Sequence, residues 1–395
     1  MPRRQLVLGM LFLMVLIMYL DRLAIGVAAP RIQAELGLTP KQWGWVAGAF
    51  TLAYALFEAP GGAMGDRIGQ RMVLTRIVVW WSGFTALTAA VTGLGQLLAV
   101  RFLFGAGEAG AFPNSTGVVA RWFEPSERAR ASSAFWIATS VGGVLAPLLV
   151  VPMMRAHGWR APFVVFAIAG VLWAVAWHNW YRDPVNSVER TAAPWGRMVG
   201  DANFRWVLIM YHCYCWGATF YLTWIYTYLQ TGRGMTETEM GFASALPFVA
   251  GIGGILAGGF LSDALSRRFG LRIGRCAVGA PSLILAGLAM VAATLTRDND
   301  WAVGMLAAGM GVMNMMLPVA WAVCADVGGE HTGAVSGAMN TAGQLGSFLS
   351  AVAFGYLVEG LGSYDRALLP LAGMLIAAGA AFAMIDPRRQ LIRAS

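Results

Sequence analysis

Twelve long, predominantly apolar runs separated by short polar loops leave this chain little choice of fold. They cover residues 6–29, 43–63, 73–93, 95–119, 129–152 and 161–181, then 204–230, 240–262, 274–295, 300–325, 332–358 and 366–385. Each is long enough to cross the roughly 30 Å hydrocarbon core of a bilayer as a helix. Inside that core, backbone polar groups have to be paired within the segment, so runs of this kind read as transmembrane α-helices. Composition agrees: 58% of the 395 residues are hydrophobic and 12% are charged, against roughly a quarter charged in an average soluble domain. A net charge of +8 would point to nucleic acid in a soluble protein. Here the basic residues concentrate in particular loops. With a cytoplasmic N-terminus, about 19 Arg and Lys fall on the inner side and about 7 on the outer side, the asymmetry that membrane topology requires. The reading is an all-α membrane protein with both termini cytoplasmic, partnered by the bilayer and not by nucleic acid. The basic N-terminus followed by a run past signal-peptide length is expected to be an uncleaved first helix.

Against this background the charged residues inside the runs stand out. MYLDRLAIG places Asp21 and Arg22 side by side within the first run. A charge at membrane depth costs a few kcal/mol or more, so it faces protein or water and has a use. Neighbours on a helix point about 100° apart, so the two do not satisfy each other; each needs a partner on another helix or a ligand. The fourth run supplies candidates in Arg101 and Glu108. If helix one runs outward and helix four inward, Arg22 and Arg101 lie at similar depth, and two guanidinium forks at one depth suit a carboxylate. Glu108, seven residues after Arg101, is two turns deeper on the same face. Glu58, towards the cytoplasmic end of the second run, is left open between a gate and a transport role. The four cysteines, Cys213, Cys215, Cys276 and Cys324, all lie in apolar runs and make no metal-ligand set. They read as small buried residues.

The chain also repeats itself. Gly62, Asp66 and Arg71 recur 197 positions later as Gly259, Asp263 and Arg268. Two halves of six helices each form the parallel-repeat architecture of major facilitator transporters. The expected division is 1–181 for the first six-helix bundle, 182–203 for a cytoplasmic linker and 204–395 for the second bundle. GGAMGDRIGQR resembles the major facilitator loop signature G-x-x-x-D-R-x-G-x-R between helices two and three. The second copy departs from it, with Ala264 for the arginine and Ser266 for the glycine. Asp66, Arg67, Arg71, Asp263 and Arg268 are accordingly expected at a cytoplasmic gate.

MYLDRLAIGVAAP resembles the first helix of the anion:cation symporter family, which includes the galactonate and hexuronate transporters. RFLFGAGEAGAFPNS resembles that family's fourth helix, and the stretch from Ser336 to Gly343 is similar to its eleventh. The resemblance spans essentially the whole chain. It implies a proton-coupled symporter of organic anions, with Asp21, Arg22, Tyr54, Arg101, Glu108 and Asn340 among the functional residues. Glu58 stands where the family pattern leads one to expect a neutral residue.

The second half has no Asp, Glu or Arg deep in a run. It offers His212, Tyr221, Asn314, Asn340 and Gln344 instead. The expected division of labour puts Asp21 and Glu108 in proton coupling and Arg22, Tyr54 and Arg101 on the substrate anion. Tyr221, Asn340 and Gln344 would then meet substrate hydroxyls. His212 is left open between helix packing and proton transfer. The expected function is alternating-access import of a small sugar acid, an aldonate or hexuronate, across a bacterial cytoplasmic membrane. The carrier would be a monomer, with protons as coupling ion and no metal or other cofactor. An organic phosphate exchanger is the runner-up, and a non-transporting membrane sensor the alternative from another class. An enzyme is disfavoured, since no metal set, nucleophile elbow or phosphate-binding loop occurs.

Overall fold

The computed structural model describes residues 2–123, 125–183 and 195–391, and among them all regular structure is helical. The first half contains α1 (Pro2–Leu36), α2 (Pro40–Ile68), α3 (Gln70–Thr88), α4 (Leu94–Glu108), α5 (Ala111–Trp122), α6 (Pro125–His157) and α7 (Ala161–Trp180). The second contains α8 (Trp195–Gly200), α9 (Ala202–Thr219), α10 (Ile225–Thr227), α11 (Glu237–Phe269), α12 (Leu271–Thr294), α13 (Asn299–Gly328), α14 (Thr332–Leu361) and α15 (Tyr364–Ala383). Eight of these, α1, α6, α7 and α11 to α15, are long and apolar enough to span a membrane.

Local chemistry accounts for the helix starts. At α2, the Thr39 hydroxyl accepts from the Gln42 amide (3.3 Å) and the Gln42 side chain accepts from the Thr39 amide (2.9 Å), with Pro40 in the first turn. This reciprocal pair satisfies two donors that a helix N-terminus otherwise leaves open. Asp298 and Ser363 cap α13 and α15 from one side only, their side chains accepting from first-turn amides.

Two expected spans are not single helices. The fourth, read as 95–119, breaks directly after Glu108. Ala109 is extended and Gly110 takes a left-handed conformation (φ 90°, ψ −7°) that caps α5. A residue with a Cβ is strained there, and a Cβ on Gly110 would also meet the Gly61 backbone of α2 at 2.7 Å. Asn114 stitches the break, donating to the carbonyls of Gly110 (2.7 Å) and Gly61 (2.9 Å). The seventh span, read as 204–230, passes into two π-helical turns, Phe220–Trp224 and Tyr228–Gly232, on either side of α10.

The chain forms two compact units: Met1–Glu189 with Leu229–Ala245, and Arg190–Tyr228 with Leu246–Ser395. In the first unit α1 packs on α6 and α7, α2 on α4, and α3 on α4 and α7. In the second, α9 packs on α14 and α15, and α12 on α13 and α15. The pairings of α1 with α6 and α7 and of α3 with α4 and α7 thus recur as α9 with α14 and α15 and α12 with α13 and α15, as an internal repeat requires. Close backbone contact recurs too: a Cβ on Gly61 would meet Ala109, and one on Gly258 would meet Met315. The segment Leu229–Ala245 is tied into the first unit by Arg31, whose Nε and Nη2 donate to the two Glu237 carboxylate oxygens (2.6 and 2.7 Å) while Nη1 donates to the Met154 carbonyl (2.6 Å). All four cysteines are free thiols, three of them buried and Cys276 half-buried.

Candidate functional site

The break after Glu108 sets the site. Gly105 lets α4 run against α2, since a Cβ there would strike the Phe50 carbonyl. Glu108 therefore enters the bundle as the last residue of a half-helix, with none of its surface exposed. Across from it on α1, Arg22 donates from Nε to Glu108 Oε1 (3.0 Å), and its Nη2 donates to the same oxygen. This is the ion pair that the two charged runs need in a low dielectric.

Arg101, two turns earlier on α4, is buried and has no hydrogen bond or ion pair among the described residues. Its guanidinium lies over the rings of Phe50 (4.9 Å) and Phe104 (4.8 Å). Arg22 lies over Phe50 as well (4.8 Å), and over Tyr54 (5.0 Å) and Tyr19 (5.2 Å). Asp21 points elsewhere. Its side chain is buried (1% exposed), faces Trp81 and Thr85 on α3, and has no ion-pair partner among the described residues. Neighbouring positions on α1 thus make different direct contacts: Arg22 bonds Glu108 on α4, and Asp21 faces α3 while staying within electrostatic reach of Arg101 and Glu108.

Of the residues marked in the sequence, Asp21, Arg22, Tyr54, Arg101 and Glu108 come together in the first unit. Tyr19, Phe50, Trp81, Thr85 and Phe104 join them and were not marked. The signal for some was present, because Tyr19 is three residues before Arg22, Phe104 three after Arg101, and Phe50 four before Tyr54, the spacings that share a helix face. Glu58, one turn past Tyr54, is buried.

In the second unit, Asn340 and Gln344 are half-buried at i and i+4 on α14. Tyr221 does not join them. It is 1% exposed in the π-helical turn, and its hydroxyl donates to the Leu306 carbonyl at 3.0 Å. Asn314 is buried on α13, against Gly251. His212 is occupied at both ring nitrogens, with Nδ1 3.0 Å from the Ala342 carbonyl and Nε2 accepting from Trp216 Nε1 at 3.3 Å. Only the tautomer with hydrogen on Nδ1 satisfies both bonds. That geometry makes His212 a pin between α9 and α14.

At the expected gate, Arg67 is exposed and the side chain of Asp66 lies outside the described residues. The carboxylate that organises this end is Asp183, which the sequence did not mark. It accepts from the Gln70 and Arg71 amides (2.9 and 3.1 Å) at the start of α3 and pairs with Arg121 (3.3 Å). Arg71 donates from Nε to the His178 carbonyl (2.7 Å). In the second copy, Asp263 pairs with Arg275 (3.0 Å), which also bonds Asp326 (3.0 Å) and Ser262 (2.9 Å). Arg268 instead lies over the Phe269 ring. Arg275 was missed because it sits seven residues beyond the repeated motif.

Repeated helix bundles, one holding an acid–base pair and a second arginine at membrane depth, describe a multi-pass membrane carrier. A model of the Major Facilitator Superfamily matches residues 11–351, and the chain belongs to that superfamily; it is a transporter and not an enzyme. The chain is 33% identical over 402 residues to the probable sulfoacetate transporter of Cupriavidus necator, covering 95% of this chain and 92% of that protein. It is 31% identical over 420 residues to the probable galactarate/D-glucarate transporter of Bacillus subtilis, covering 95% and 90%. The crystal structure of a bacterial homolog to the human lysosomal transporter Spinster, in an inward-facing and unoccupied conformation, superposes with a TM-score of 0.83 over 97% of both chains. At 20% identity that match concerns the fold alone.

Proposed function

We propose that the protein is a proton-coupled symporter that brings a small organic anion, a sugar acid or a similar carboxylate, into a bacterial cell across the cytoplasmic membrane. The observation that carries this reading is the unequal state of the two arginines. Arg22 is bonded directly to Glu108, whereas Arg101 lies against aromatic faces with no carboxylate within hydrogen-bond distance, Asp21 and Glu108 acting on it only from farther off. A buried guanidinium whose N–H fork is not bonded to any carboxylate keeps those donors for an anion. The named substrates of the relatives, sulfoacetate and galactarate/glucarate, are organic anions and support the class.

The cycle follows from charge. A proton on Glu108 removes the counter-ion of Arg22, so two guanidinium forks face one substrate. The proton adds one positive charge and a carboxylate adds one negative, so the buried charge stays constant through the step. Asp21 is the second proton site, which suits substrates carrying two negative charges. Tyr54 lines the arginine side, and Asn340 and Gln344 offer neutral hydrogen bonds to hydroxyls. After the carrier opens inward, Glu108 releases its proton, takes Arg22 back and expels the anion. Twelve spans, two six-helix bundles, cytoplasmic termini and a monomeric carrier complete the proposal.

The test is uptake into proteoliposomes of galactonate, glucuronate, glucarate and sulfoacetate, with and without an imposed proton gradient. Accumulation of at least one of them above equilibrium, together with alkalinisation outside, is expected. Exchange of preloaded anion without any response to the gradient would replace symport with an exchanger.

A further inference from the structure

Phe50 stands beneath both arginines. The Arg22 guanidinium carbon lies 4.8 Å and that of Arg101 4.9 Å from the centre of the same ring. Two cations sharing one ring lie within roughly 10 Å of each other and repel in a low dielectric. Each also lies over other rings: Tyr19 and Tyr54 for Arg22, Phe104 for Arg101. Phe50 also touches two of these rings, with centroids 5.9 Å from Tyr54 and 5.6 Å from Phe104. It is 5% exposed, and its carbonyl lies where a Cβ on Gly105 would otherwise sit, so its backbone is packed directly against α4.

We infer that Phe50 is a positioning residue for anion binding, whose ring face holds Arg22 and Arg101 at one spacing and becomes the partner of Arg22 when Glu108 lets it go. The physical reason is the ring quadrupole. Its negative face attracts a guanidinium without neutralising it, and the attraction strengthens where water is excluded. A carboxylate in that place would compete with the substrate. An aliphatic side chain would leave Arg22 only the more distant Tyr19 and Tyr54 rings, and nothing held in common with Arg101, at the moment its counter-ion is protonated. The aromatic face holds the cation while leaving the in-plane N–H donors of the fork for an anion. This inference rests on the reading of Arg22 and Arg101 as the anion site.

Two measurements test it. The first is substrate-free. Melting temperatures of purified Phe50→Leu, Phe50→Tyr, Glu108→Gln and the corresponding double variants form a mutant cycle. If Phe50 takes over Arg22, Phe50→Leu lowers the melting temperature more in the Glu108→Gln background than alone, and Phe50→Tyr restores most of the loss. An equal loss in both backgrounds would mean that the ring only fills space, and would overturn the proposal. The second replaces Phe50 with mono-, di- and trifluorophenylalanine, which weaken the quadrupole with little change of shape. The KM for whichever of the four test anions the native protein accumulates should rise stepwise, by about three- to thirtyfold across the series, with kcat much less affected. A KM that ignores fluorination overturns the proposal, and this series still decides if Phe50→Leu fails to fold. If the native protein transports none of the anions, the reading of the site fails while the mutant cycle still decides the role of Phe50.

Discussion

Glu108 takes the guanidinium of Arg22, on another helix, and leaves Arg101 on its own helix held by aromatic rings. Side chains seven residues apart on one helix share a face but sit about 10 Å apart along the axis. Glu108 and Arg101 therefore do not meet directly, whereas the packing of α1 beside the end of α4 brings Arg22 within hydrogen-bond reach.

Glu108→Gln imitates the protonated acid. The variant is expected to bind and exchange the substrate anion while losing accumulation against a gradient. Counterflow in proteoliposomes measures the first, and uptake driven by an imposed proton gradient the second. Full uphill uptake by this variant would remove Glu108 from the coupling step.

The two arginines should respond differently to substitution. Arg101→Lys replaces a fork by a point charge at the proposed anion site, and a charge-assisted hydrogen bond contributes about 1.5–3 kcal/mol. Substrate affinity should therefore fall by roughly ten- to a hundredfold, as read by a ligand-induced thermal shift. Arg22→Lys should in addition loosen the hold on Glu108 and move the pH profile of uptake. Identical pH profiles for the two variants would contradict their separate roles.

Gly110→Ala places a Cβ in the left-handed backbone at the break of the fourth span, 2.7 Å from the Gly61 backbone. Strain of this kind costs of the order of 1–3 kcal/mol before the steric clash is counted. The melting temperature in detergent should drop by several degrees. Gly253→Ala is the control, since nothing lies within 4 Å of a Cβ there; its melting temperature should hold or rise.

The tail beyond α15 is expected to be indifferent to pH in the working range. Hydrogen bonds from the Arg388 side chain hold the Asp386 carboxyl down at about 2, below the ordinary carboxylate range. A depressed carboxylate contributes above its unfolded value near 3.8 and loses that contribution only as the pH falls through about 2. An exposed pair of this type is worth less than about 1 kcal/mol. Asp386→Asn should speed proteolysis of the tail, which also bonds Asn203 and Val327. The pH profile of transport from 5 to 8 should keep its shape.

Much of the candidate site is legible along the chain, because a charge inside an apolar run is costly in a bilayer and marks itself. Asp21, Arg22, Arg101 and Glu108 were visible for that reason. Phe50 was not, since an aromatic residue in an apolar run looks like every other packing residue until two cations are found over it. Asp183 and Arg275 escaped because their work depends on facing a helix N-terminus or a second carboxylate, which no spacing along the chain reports.

What the sequence determined alone was the medium, the helical class and the repeat. Run length, loop charge and the 197-residue echo of Gly62, Asp66 and Arg71 follow from local chemistry and need no third dimension. The tertiary structure decided which acid holds which arginine. Arg22 and Glu108 are 86 positions apart, and whether they meet depends on how α1 and α4 are rotated about their own axes. That rotation is fixed where Gly105 and Gly110 let backbones touch and where the fourth span stops being a helix.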